Sequence, residues 1–98
     1  MGAAAENFWN DIELITNIKK RCKEVFPVVE WGWASTPTYP YGTIGFVVAS
    51  KNATQNVKEP VRKYTTQEEE AKFRYYNQNI HASCFILPTW ARKAINGV

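Results

Sequence analysis

The sequence predicts an α/β fold, read as the closing edge of a larger sheet, in the order helix, strand, strand, loop, helix, helix. Three observations predict it. Apolar residues recur at helical spacing between Asn10 and Phe26. Two β-rich runs, Val28–Ala34 and Thr43–Ser50, flank a segment that contains Pro37, Pro40 and Gly42. The second run is apolar at nearly every position, which asks for cover on both faces of the strand. Two strands alone do not make a stable sheet, so the pattern calls for neighbours.

The opening Met1–Ala5 carries little pattern. In the first helix, Ile12, Ile15, Ile18, Cys22 and Val25 share one face, while Glu13, Asn17, Lys20, Lys23 and Glu24 face water. Asn10 or Asp11 caps its start, and Pro27 ends it. In Val28–Ala34, alternation puts Val29, Trp31 and Trp33 on one face and Glu30 and Gly32 on the other. The segment Ser35–Gly42 is too long and too rich in proline for a two-residue hairpin turn, and reads as a stiff, shaped loop.

Asn52–Tyr64 is polar and contains Pro60, so it reads as a connecting loop. Thr65-Thr66-Gln67-Glu68-Glu69 carries two overlapping capping-box spacings, which predicts a helix from there to Tyr76, closed by Asn77. The apolar run Cys84–Leu87 stops at Pro88. A final helix, Thr89–Asn96, ends at Gly97.

Composition narrows the function classes. Ninety-eight residues with 45% hydrophobic content suit one soluble domain. A net charge of +3 is too mild to argue for nucleic acid. The densest basic run, Lys19, Lys20, Arg21 and Lys23, falls near a helix end, where cations complement the dipole, so it reads as a solvated helix end. Basic residues are not interleaved with aromatics as in single-strand binders. Cys22 and Cys84 lie in no C-x-x-C pattern and read as buried free thiols of a reducing, cytoplasmic compartment. His81 is the single histidine, which argues against a metal site. It reads as a helix-start or packing residue. Trp9, Trp31, Trp33 and Trp90 read as core or interface aromatics. The longest apolar run is far too short to span a bilayer.

Three stretches then resemble the spermidine synthase family of aminopropyltransferases. The first is Phe26-Pro27-Val28-Val29-Glu30-Trp31, leading into Pro37-Thr38-Tyr39-Pro40-x-Gly42-x-Ile44-Gly45-Phe46. The second is Ser50-Lys51-Asn52 followed by Val57-Lys58-Glu59-Pro60. The third is Tyr75-Tyr76-Asn77 with His81-Ala82-x-x-Phe85-x-Leu87-Pro88. The resemblance implies that residues 1–98 are the C-terminal part of the catalytic domain. They would supply the last helix-strand-strand segment of a Rossmann-like, methyltransferase-type sheet, with its antiparallel strand pair and closing helices.

It also implies a chemistry. Family members transfer an aminopropyl group from decarboxylated S-adenosylmethionine to putrescine, giving spermidine and methylthioadenosine. The donor is a co-substrate and no cofactor or metal is implied. The catalytic aspartate sits in a D-S-S-D-P-like loop and the nucleoside on a Gly-rich turn. Neither pattern occurs here: Asp11 is the single aspartate and the five glycines never cluster. The chain alone is therefore expected to be inactive, with its catalytic base upstream. What remains is a substrate-binding wall, with Tyr39 at the putrescine amine or the aspartate beside it and Ile44 on the methylene chain. A homo-oligomer is expected, with no nucleic-acid or membrane partner.

Departures from the family pattern bear on this. Ala4-Ala5-Glu6 stands where Gln-Gly-Glu is common, Asn10-Asp11 replaces Leu-His, and Tyr41 replaces a usually small residue and could narrow the channel. Spermine synthases share much of this segment, so a spermine synthase fragment is an alternative. Another is a non-catalytic interaction module or truncated paralogue that pairs with a full-length partner; a basic nucleic-acid-binding domain is a third. In-frame upstream coding for the Gly-rich and acidic loops separates fragment from module, and salt-dependent binding tests the third.

Overall fold

The computed structural model describes residues 2–5, as backbone, and 7–98. Its centre is a three-stranded sheet of β1 (Gly2–Ala5), β2 (Val28–Ser35) and β3 (Thr43–Ser50), in the order β1-β3-β2. Both outer strands run antiparallel to β3, with Gly2 opposite Val48 and Trp31 opposite Val47. The expected pairing of the two β-rich runs is thus present, and β3 is the inner strand. The opening residues, which carry little sequence pattern, form β1. Pairing with the second edge of β3 overrides the weak strand preference of Gly and Ala, because strand propensity yields to context.

Helix α1 (Ile12–Lys23) and helix α4 (Thr89–Asn96) cover one face. There Phe8, Ile15, Val29, Trp31, Val47, Ala49, Ala91 and Ile95 form the core. Ile15 and Val47 are sealed from solvent, which contributes about 1.5–3 kcal/mol for each such side chain. The helical face differs from expectation at two positions. Val25 is 66% exposed because α1 stops at Lys23, and Phe26 N–H turns back to the Cys22 carbonyl. Lys19, expected in a solvated run, is only 7% exposed, and its Nζ donates to Asn96 Oδ1 on α4. Burial lowers its pKa below the ordinary lysine value, with Glu30 opposing and Lys23 and Lys58 adding to the shift.

The other face of β3 carries Phe46 and Val48, half-buried where the sequence suggests full burial. Their cover comes from the chain's own later segment: Phe85 meets Phe46 edge-on at 6.3 Å. The predicted helix from Thr65 to Tyr76 shrinks to α2 (Gln67–Glu70). Thr66 does cap it, accepting from Glu69 N–H. Beyond Ala71 the aromatic contacts of Phe73 with Tyr64 and of Tyr76 with His81 win over further helix. Asn77 starts a helix where it was expected to close one: its Oδ1 accepts from Ile80 N–H at 2.7 Å and caps α3 (Gln78–Ser83). Cys84–Leu87 then runs beside β2, where Trp33 N–H donates to the Cys84 carbonyl and Trp33 Nε1 to the Ile86 carbonyl. Both cysteines are free thiols, half-buried where burial was expected. No helix of the described residues is long and apolar enough to cross a membrane.

Candidate functional site

The loop between β2 and β3 is closed on itself. Thr36 N–H donates to the Gly42 carbonyl at 2.7 Å, just past the last paired residues. Inside, Tyr39 N–H donates to the Thr36 carbonyl and Gly42 N–H to the Tyr39 carbonyl. Pro40 presets the second turn, and Tyr41 follows at φ 63°, ψ 10°. That is the third position of a type II turn, where Gly or Asn is ordinary because φ is positive. A left-handed tyrosine costs roughly 1–2 kcal/mol against glycine. Its hydroxyl donates to Asn10 Oδ1 at 3.2 Å, 31 residues away in sequence. A second bond pins the loop's other root, with Ser35 N–H donating to the Tyr75 hydroxyl.

Of the residues singled out in the sequence, Tyr39 sits on this loop, 40% exposed, and Ile44 lies half-buried on β3, opposite Ala34. The structure places both at the end of the sheet where β1 and β2 finish. Neither belongs to the lining of the apolar cavity between β3 and α3.

That cavity, about 230 Å³, lies against the face of β3 turned away from α1 and α4 and is walled by Phe46, Val48, Val57, Ile80 and Phe85, with Tyr76, His81 and Cys84 among its polar-bearing residues. Their polar groups are already engaged. His81 Nε2 faces the Val57 carbonyl at 3.0 Å, and its Nδ1 faces the Tyr76 hydroxyl at 2.9 Å. A carbonyl only accepts, so Nε2 carries the proton and Nδ1 accepts from tyrosine. The Cys84 thiol donates to the His81 carbonyl at 3.1 Å, and burial pushes it up to about 11. Burial likewise raises the Tyr76 phenol. This is a packing histidine, as the sequence suggests, and an unactivated thiol. Among the described residues no three His, Cys, Asp or Glu side chains gather closely enough for a metal.

Sequence reasoning did not find Asn10, Tyr41 and Tyr75 as partners of the loop. Their contacts span 31 and 40 residues, and no local spacing announces them. The departure of Tyr41 from a small residue was the one signal.

The Spermine/spermidine synthase domain matches residues 1–59, more than half of the chain. The chain belongs to that family. It is similar to a spermidine synthase of Schizosaccharomyces pombe, 45% identical over 92 residues, covering 94% of this chain and 31% of that protein. It is 43% identical to a spermine synthase of Saccharomyces cerevisiae, covering 95% and 31%. The crystal structure of spermidine synthase from Thermotoga maritima superposes with a TM-score of 0.73 at 27% identity, over 99% of this chain and 34% of that one. The chain spans about a third of the length of the relatives it matches. Its β1-β3-β2 sheet and flanking helices are thus a segment of the methyltransferase-like fold of spermidine synthases.

Proposed function

We propose that residues 1–98 form the C-terminal part of a polyamine synthase catalytic domain and supply one wall of its acceptor site. The observation that carries this reading is the doubly closed loop that presents Tyr39 beside the carboxyl ends of β1 and β2. In open α/β sheets ligands occupy the crevice outside those ends. In the reaction, a neutral amine of putrescine attacks the aminopropyl carbon bonded to the sulfonium of decarboxylated S-adenosylmethionine. The carbon–sulfur bond breaks, its electron pair stays on sulfur, and the proton leaves the new ammonium for a carboxylate. Spermidine and methylthioadenosine result.

The carboxylate and the nucleoside-binding turn are supplied by residues outside 1–98, so this segment alone is inactive. Its own part is positional. The Tyr39 hydroxyl bonds the amine or the aspartate beside it while the ring attracts a cationic end, and Ile44 packs on the methylenes. The same reading makes the complete enzyme a cytoplasmic homo-oligomer. The exposed, mutually packed Trp9 and Trp90 support an interface. Similarity to both a spermidine and a spermine synthase favours a second reading, in which spermidine is the acceptor.

The test is steady-state kinetics of a full-length enzyme carrying this segment, with each substrate varied. Loss of one hydrogen bond to a charged group costs about 1.5–3 kcal/mol, so Tyr39→Phe should lower putrescine kcat/KM roughly ten- to hundredfold, with the donor KM unchanged. Wild-type putrescine kinetics in Tyr39→Phe would remove its hydroxyl from the site. A higher kcat/KM for spermidine than for putrescine would select the second reading.

A further inference from the structure

Tyr41 occupies a turn position that favours glycine, and 65% of it is exposed, so packing does not explain the residue. What its side chain does make is one bond, hydroxyl to Asn10 Oδ1, between two loops. The receiving turn is internally hydrogen-bonded. Asn10 N–H donates to Asn7 Oδ1, Asp11 N–H donates to the Asn7 carbonyl, and Asn7 itself is buried. Phe8, between them, is locked edge-on against Trp31, Trp33 and Trp90. The two loops leave the carboxyl ends of β1 and β2, which run parallel to each other on either side of β3. Tyr41 therefore ties the loop after β2 to the turn that follows β1.

We infer that Tyr41, through Asn10, is a positioning residue for the acceptor. The turn that holds Tyr41 also holds Tyr39, since the Tyr39 carbonyl takes the Gly42 N–H that closes it. Fixing the tip at Asn10 fixes where the Tyr39 ring stands. The inference rests on the acceptor-wall reading of Tyr39. It assigns a role to a residue at which this chain departs from the family's usual small side chain, and to a partner 31 residues upstream.

The experiment is a double-mutant cycle in a full-length enzyme carrying this segment, with Tyr39→Phe run beside it. Tyr41→Phe and Asn10→Ala should each raise the acceptor KM three- to tenfold and leave the donor KM unchanged. The double variant should be no worse than either single one, because both remove the same bond. Asn10→Asp keeps an acceptor oxygen and should restore the wild-type acceptor KM. Tyr41→Gly relieves the left-handed backbone and should raise the acceptor KM without lowering Tm, an outcome that a merely structural role would not give. Silent single variants, or effects that multiply in the double variant, overturn the inference even when Tyr39→Phe impairs acceptor use. If Tyr39→Phe is silent while Tyr41→Phe and Asn10→Ala still couple, the Tyr39 hydroxyl leaves the site and the Tyr41–Asn10 bond positions the acceptor through the Tyr39 ring alone. If all three are silent, both fall.

Discussion

Gly32 lies directly under the ring of Phe46: a Cβ at position 32 would stand 2.9 Å from Phe46 Cε2 and 3.1 Å from Phe85 Cε1. The two residues pair across β2 and β3, so the glycine is what lets the Phe46–Phe85 contact settle on the sheet. Gly32→Ala should therefore destabilise the protein, although alanine is the better strand residue. Overpacking costs about 1–3 kcal/mol. The value should fall at the low end, because Phe46 borders the cavity and can yield into it. Thermal unfolding should show a loss of about 4–8 °C for each kcal/mol. In a Phe46→Leu background the same change should cost clearly less, and equal cost in both backgrounds would remove the clash as its cause.

His81 clips the Asn52–Tyr64 loop to α3 through the Val57 carbonyl, and its ring is fixed by Tyr76. Nitrogen chemical shifts at neutral pH should report the Nε2–H tautomer. His81→Phe keeps a ring of similar shape but loses both bonds, at a cost of about 1–2 kcal/mol. Amide exchange should then quicken around Val57 and leave β3 unchanged. An Nδ1–H tautomer would contradict the assignment.

Cys84 should resist alkylation. With the thiol raised to about 11 against an ordinary 9.0, its thiolate fraction at pH 8 is roughly a hundredfold below that of a free thiol. Iodoacetamide labelling read by mass spectrometry should show Cys84 reacting about that much more slowly than free cysteine, and rising with pH towards 11. The linkage has a definite sign. The folded state keeps the proton that the unfolded chain releases, so this contribution to stability is complete below 9.0. It is lost as the pH climbs through about 11. Labelling as fast as free cysteine at pH 8 would refute the burial argument.

Lys19 pulls the other way. Its lowered pKa means that the unfolded chain binds more protons than the folded one just below 10.5, so this residue's contribution to stability rises with pH there. Lys19→Met removes the buried charge, and its partner Asn96 is only half-buried. The variant should be more stable at pH 7 by about 1 kcal/mol. Its advantage over the parent should shrink as the pH approaches 10.5. A lower Tm at pH 7 would mean that the Asn96 bond outweighs desolvation.

The legible parts of this fold are those in which local pattern and tertiary need agree. Alternation around Trp31 and Trp33, the Pro/Gly loop and the apolar β3 run each point to the same strand pair. α4 matches its expected bounds because Pro88 and Gly97 punctuate it chemically. Reading failed where long-range contacts chose. Gly2–Ala5 has no strand signature and is recruited by the edge of β3. The Thr65–Tyr76 helix yields to the aromatic cluster around Tyr64. Val25 and Lys19 exchange the burial that simple periodicity gives them, because α1 ends early and α4 brings Asn96 across. The site was legible through resemblance at Tyr39 and Ile44, whereas Tyr41 with Asn10 needed the three-dimensional proximity of two distant loops.

The bond from Trp33 N–H to the Cys84 carbonyl, with Ser35 N–H taken by the Tyr75 hydroxyl, has a consequence for growth of the sheet. Along this stretch β2 offers no vacant donor to an incoming strand, so the segment after α3 works as a stopper on that side. A ladder left open on both flanks would be a template for runaway association. Here the block is local: it seals the end of β2 that leads into the Ser35–Gly42 loop, where an incoming strand would otherwise find its first donors.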